Sequence, residues 1–105
     1  MKNIFIAPDD YNILSNIFHT LSFDVLVFGS RIKGTQQKFS DLDLCLKGKD
    51  PIELADIAML KEALSESDLP FTVDVIDYNS IADGFKKIID NEAVNFCDTR
   101  PALEN

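Results

Sequence analysis

Val25-Leu26-Val27-Phe28-Gly29-Ser30-Arg31, joined by a short basic loop to Ser40-Asp41-Leu42-Asp43-Leu44-Cys45-Leu46, is the stretch that decides how this chain is built. The first four residues are an unbroken apolar run and predict a buried strand from about Asp24 to Phe28. That strand breaks at Gly29, where Ser30 can open a helix whose first backbone N–H groups lack an intrahelical partner and can face an anion. Gly29 and Ser30 thus form a candidate seat for phosphate, and Arg31 follows at once. In the second run Leu42, Leu44 and Leu46 alternate with Asp41 and Asp43, which predicts a strand from about Asp41 to Leu46. The leucines then face the core, and both acids leave the other face, roughly 7 Å apart along the backbone. Two carboxylates so placed can share divalent cations.

The 105 residues, 46% hydrophobic, suffice for one core and predict a single domain spanning residues 1–105. No apolar span is long enough for a membrane helix, and Met1-Lys2-Asn3-Ile4-Phe5 runs too soon into Asp9-Asp10 for a signal peptide, so the expected location is the cytoplasm. Cys45 and Cys97 show no CxxC or Cys/His metal spacing and are expected as thiols that fill space. A net charge of -8 excludes a general nucleic-acid-binding surface. Its distribution is uneven: Arg31, Lys33, Lys38, Lys47 and Lys49 outnumber Asp41 and Asp43, so a basic island of +3 surrounds the candidate site in a chain that is otherwise -11.

The remaining elements alternate between helix and strand without a repeat or linker. Pro8 to Leu21 carries Tyr11, Leu14, Phe18 and Leu21 at helical spacing behind a proline and two aspartates suited to a first turn. His19, the only histidine, falls near that helix's end with nothing to complete a triad or ligand set, and is assigned to structure. Asp50-Pro51-Ile52-Glu53 has the spacing of a capping box and predicts a long helix from there, ended by Ser65-Glu66-Ser67-Asp68 and Pro70. Phe71 to Ile76 predicts a third strand with Asp74 in its middle, a carboxylate that must reach a partner, a metal or water. If that strand lies beside the second, Asp74 joins Asp41 and Asp43. Asp77 is assigned to the turn that follows. A last helix from about Ile81, with Ser80 and Asp83 in cap-like spacing, uses Ile81, Phe85, Ile88 and Ile89 as its apolar stripe, and the tail from Asp98 to Asn105 is expected to fray.

Gly29-Ser30, the basic turn Arg31-Ile32-Lys33-Gly34, Ser40-Asp41-Leu42-Asp43 and the later Val73-Asp74-Val75 together resemble the polymerase-β-like nucleotidyltransferase superfamily, and within it the minimal nucleotidyltransferases of bacteria and archaea. The resemblance covers nearly the whole chain. It implies an α/β (α+β) fold in which a small mixed sheet of about three to four strands is flanked by helices. It also implies ATP or another nucleoside triphosphate as donor and magnesium as cofactor.

Chemistry gives each position a reason. A hydroxyl attacks an α-phosphate in line while pyrophosphate leaves, so negative charge must be neutralised at both ends. Two Mg2+ ions about 4 Å apart do so when carboxylates hold them. Asp41, Asp43 and Asp74 are the candidate catalytic and metal-binding residues, with Asp74 beside the acceptor. Gly29 and Ser30 would bind the β- and γ-phosphates, and Arg31 or Lys38 would counter the pyrophosphate. A calcium loop of the EF-hand kind is excluded, because the further oxygen ligands and the loop glycine are missing after Asp43.

Larger relatives carry an extra domain for the acceptor, so in a chain this short the resemblance implies that the acceptor is a separate small all-helical protein, either a HEPN-type toxin or a substrate-binding partner. In the toxin pairs it implies an antitoxin that attaches AMP to a tyrosine of its toxin. The alternative is a non-catalytic antitoxin that neutralises its partner by occlusion.

Overall fold

The computed structural model describes residues 1–104. In chain order its elements are β1 (Lys2–Ile4), α1 (Pro8–Phe18), β2 (Asp24–Phe28), α2 (Ser30–Lys33), β3 (Leu42–Lys47), α3 (Leu54–Glu66), β4 (Val73–Asp77), α4 (Asp83–Glu92), β5 (Val94–Asn95) and β6 (Thr99–Pro101). Four of the strands form a mixed sheet of order β4-β3-β2-β5. β2 runs antiparallel to β3 with Phe28 opposite Asp43, and β4 runs parallel to β3 with Asp74 beside Asp43. The expected mixed sheet flanked by helices is what forms.

Alternation along the strands splits the sheet into two chemically distinct faces. Val25, Val27, Leu42, Leu44 and Leu46 are buried together with Leu14 and Phe18 of α1 and Leu60 and Leu64 of α3. Each such side chain contributes about 2 kcal/mol on burial. The exposed Lys33–Glu92 pair at 3.3 Å, of a kind worth under about 1 kcal/mol, is minor beside them. The opposite face carries Phe28, Asp43 and Asp74, and α4 lies against it with Phe85 edge-on to Phe28, ring centroids 5.8 Å apart. Cys45 is fully buried, and burial pushes its thiol up to about 11, the nearby Asp77 adding to the shift. It fills space as expected, whereas Cys97 is exposed and does not.

Several boundaries differ from the sequence pattern. α1 stops at Phe18, and Leu21 instead closes a turn by donating to the Phe18 carbonyl. β3 starts at Leu42, so Asp41 lies just ahead of it, and β4 runs from Val73 to Asp77. α3 starts at Leu54 behind Glu53, because the Ile52 N–H is held by the Asp77 carboxylate at 3.3 Å and the Asp50-Pro51 segment stays a loop. Ser80 belongs to a short 3-10 turn, Tyr78–Ser80, capped by Asp77 through the Asn79 N–H, so α4 begins at Asp83 and leaves Ile81 outside. Asp77 is structural, as expected. His19 sits exposed past the end of α1, its Nδ1 2.7 Å from the Asn16 carbonyl oxygen.

The expectation of a frayed tail is overturned for the described part, and its last residue, Asn105, lies outside the described residues. Phe96 stacks on Tyr11 (4.7 Å) and meets Phe18 edge-on (5.0 Å), which draws the following residues inward. β6 then pairs parallel with β1, and the Tyr11 hydroxyl donates to the carbonyl of buried Thr99 at 2.8 Å. The two ends of the chain thus clasp each other, with fully buried Ile4 beneath them. Among the described residues no helix is long and apolar enough to cross a membrane. An Ile4→Ala variant should lose about 3 kcal/mol in a urea unfolding experiment, a cost that fraying ends would not incur.

Candidate active site

Gly29 ends β2 with φ of +79°, a conformation that side chains disfavour, and its carbonyl accepts the N–H groups of Ile32 and Lys33 to start the four-residue α2. Gly34 closes α2 in the left-handed conformation, its N–H donating to the Ser30 carbonyl at 2.9 Å. A Cβ on Gly29 would collide with Oδ2 of Asp43. The bare Cα therefore lets the phosphate-type turn and the carboxylate occupy adjoining space.

Asp74 projects from the same sheet face as Asp43, since residues paired across parallel strands point the same way. Asp41 is exposed and precedes the strand by one residue. Asp43 is half-buried, and its carboxyl is held above the usual aspartate range, first by burial and then by the charges of Asp74 and Asp41. Asp43 thus lies within electrostatic reach of both other predicted acids. Among the described residues no three acidic, histidine or cysteine side chains close on one point as a ready-made metal site. The donor set nevertheless fits magnesium: hard carboxylate oxygens from adjoining segments, with a crowding of negative charge that a divalent cation would relieve.

The two predicted cations part ways. Lys38 is exposed in the loop before Asp41, its Nζ 5.3 Å from the Phe39 ring centroid. Arg31 is buried, and its guanidinium is bonded to main-chain carbonyl oxygens rather than presented to a phosphate. Sequence reasoning assigned Arg31 by adjacency to Ser30, and on a short helix the next residue points elsewhere.

Beside the acids lies an open cleft lined by Phe28, Asp43, Lys61, Val73, Asp74, Val75, Ile76 and Phe85. Phe28 and Phe85 were expected only as strand and helix-stripe residues, and Lys61 was not named from the sequence. Phe28 had a signal, as the strand residue paired with Asp43, but Lys61 reaches the cleft from α3 and Phe85 from α4 only once the helices pack.

A mixed sheet with a glycine-serine turn at the end of one strand and acids on the next two is the architecture of a nucleotidyltransferase. Residues 16–101 match the family described as polymerase beta, nucleotidyltransferase, and the chain belongs to that family. It is 40% identical over 86 residues to a Haemophilus influenzae protein named Probable protein adenylyltransferase MntA, an alignment covering 80% of this chain and 75% of that protein. In three dimensions it is similar to a crystal structure of a toxin-antitoxin with AMP-PNP (TM-score 0.67, 21% identity, 83% of this chain and 72% of the other). It is also similar to a crystal structure of the toxin-antitoxin MntA-HepT (TM-score 0.57, 15% identity, 83% and 68%). At those identities the two crystal structures speak for the shared fold.

Gly29→Ala adds both a collision with Asp43 and an unfavourable φ, and should lower stability by about 1–3 kcal/mol, read as a fall in melting temperature. Asp43→Asn should have the opposite sign at neutral pH. A carboxyl whose folded pKa is raised weighs against folding above that pKa, and the penalty vanishes once pH falls below its unfolded value. Melting curves should therefore show the asparagine variant more stable than the parent near pH 7, with the gap narrowing as pH drops through the carboxylate range.

Proposed function

We propose that this chain, as a single domain of residues 1–105 acting in the cytoplasm, transfers AMP from ATP to a tyrosine hydroxyl of a small helical HEPN-type partner. It would act as the antitoxin of a toxin-antitoxin pair. The observation that carries the chemistry is the register that sets Asp74 beside Asp43, with the bare Cα of Gly29 against the Asp43 carboxylate. The protein-directed acceptor and the pairing with a toxin are supported by the name of the Haemophilus influenzae relative and by the MntA-HepT crystal structure, one chain of which has a fold similar to this one.

Asp41, Asp43 and Asp74 would hold Mg2+, which when bound supplies the positive charge that nucleotidyl transfer needs at the α-phosphate and the departing pyrophosphate. Gly29 and Ser30 grip the β- and γ-phosphates through main-chain N–H groups and the serine hydroxyl. Lys38, on its exposed loop, offsets the charge of the leaving group. In-line displacement requires the acceptor to enter opposite the pyrophosphate. With the triphosphate tail on the β2 side of Asp43, the acceptor enters over β4, where Asp74 takes the proton of the attacking hydroxyl.

Incubating the chain with ATP, Mg2+ and its helical partner should add the mass of one AMP to a partner tyrosine, seen by intact and peptide mass spectrometry. Asp41→Ala and Asp43→Ala should abolish the addition. If those variants still neutralise the partner in cells, occlusion rather than transfer is the function.

A further inference from the structure

Arg31 is only 3% exposed, a rare condition for arginine, and its guanidinium makes four hydrogen bonds to three main-chain carbonyls. Nε and Nη2 both donate to the Ser40 oxygen, at 3.0 and 2.9 Å, and Nη2 also reaches the Lys38 oxygen at 3.4 Å. Nη1 donates to the Phe5 oxygen at 2.8 Å, and the Phe5 N–H returns a bond to the Arg31 carbonyl, also at 2.8 Å. The planar group lies over the Phe71 ring, 4.3 Å from its centroid. The carbonyl gripped twice belongs to the peptide that leads into Asp41, while the arginine's own backbone follows Ser30. One rigid side chain therefore spans the two functional segments, and through Phe5 it is tied to the segment that follows β1.

We propose that Arg31 is a positioning residue, whose guanidinium fork sets the Ser40–Asp41 peptide at a fixed distance from the Gly29-Ser30 turn and so aims the Asp41 carboxylate at the nucleotide-metal site. A planar fork is needed because three carbonyls at different angles must be met at once, which the single ammonium of lysine does not do. The eight residues between Arg31 and Ser40 are otherwise tied by short-range bonds, Ser40 N–H to the Gln37 carbonyl and Gln37 N–H to the Ser40 hydroxyl, and by the Leu42 N–H to the Thr72 carbonyl just past exposed Asp41. The guanidinium is what links the Ser40 end to the residue after Ser30. This inference rests on the proposed nucleotidyl-transfer site, but part of its test does not.

The test compares Arg31→Lys, which keeps charge, and Arg31→Met, which keeps bulk over Phe71, with the parent chain. Hydrogen exchange followed by mass spectrometry should show amides of residues 35–41 exchanging at least about tenfold faster in both variants, with β2 and β3 unchanged. Calorimetry with Mg2+ and ATP should show affinity weakened by about 10–100-fold, the usual cost of losing an outer-shell support. Repeated in an Asp41→Asn background, the same substitutions should have little further effect on affinity, because the residue they act through is already lost. The proposal is overturned by loop exchange and affinity that match the parent, or by a loss that persists undiminished beside Asp41→Asn. Unfolding of both variants, or exchange accelerated alike across the sheet, assigns Arg31 to general stability and overturns it as well. Should the parent chain bind no ATP with Mg2+, the functional proposal falls, and loop exchange alone decides whether Arg31 holds Asp41 in place.

Discussion

The Asp43 carboxylate occupies its position only because Gly29 has no side chain. Any other residue at the end of β2 would drive an atom into Oδ2, and the positive φ that turns the chain there is itself one that glycine tolerates. This close approach sets the Gly29-Ser30 turn directly against a half-buried acid. The register of the sheet is what presents that contact: β2 antiparallel to β3 puts Phe28 opposite Asp43, and β4 parallel to β3 brings Asp74 alongside.

Half-burying Asp43 beside Asp74, with Asp41 near, is unfavourable for the chain alone, and the Asp43 carboxyl is raised first by that burial and then by the two neighbouring charges. The other face of the same strands compensates. Leu42, Leu44 and Leu46, each interleaved with or following the acids, are fully buried under α1 and α3. Stability and chemistry are thus separated by the two-residue period of a strand, since a one-residue slip would exchange the leucines with the acids. Local electrostatic strain on one side of a well-packed sheet is the usual signature of a site built for a ligand rather than for the fold.

The parts of this arrangement that were legible in the sequence are those written in short-range patterns. Val25 to Phe28, the Gly29-Ser30 break and the leucine-aspartate alternation each specify geometry within a few residues, and those elements formed within one residue of the expected bounds. The parts that were not legible depend on distant partners. β1 and β6 are three-residue strands from opposite ends of the chain, and the charged Asp98 and Arg100 with Pro101 mask any periodicity in the second. Asp50-Pro51 had the pattern of a helix start, yet a carboxylate from residue 77 takes the Ile52 N–H and delays the helix to Leu54. Phe85 and Lys61 enter the cleft from helices, whose docking no local pattern announces.

Charge counting was the least transferable of the sequence arguments, and the geometry explains why. Five cations between Arg31 and Lys49 read as a basic collar around the acids. Lys33 is paired with Glu92, and Lys47 sits 4.4 Å above the Tyr78 ring with Asp90 4.0 Å away. Lys47 also lies at the far end of β3, four residues and so about 13 Å along the strand from Asp43, and Lys49 lies beyond that end. Arg31 is turned inward onto carbonyl oxygens. Of the collar, Lys38 is the cation carried on the exposed loop that runs directly into Asp41. Outside the collar, Lys61 of α3 lines the cleft beside the acids itself. Arg31, read from the sequence as a phosphate ligand, instead holds the carbonyls of the loop that leads into Asp41.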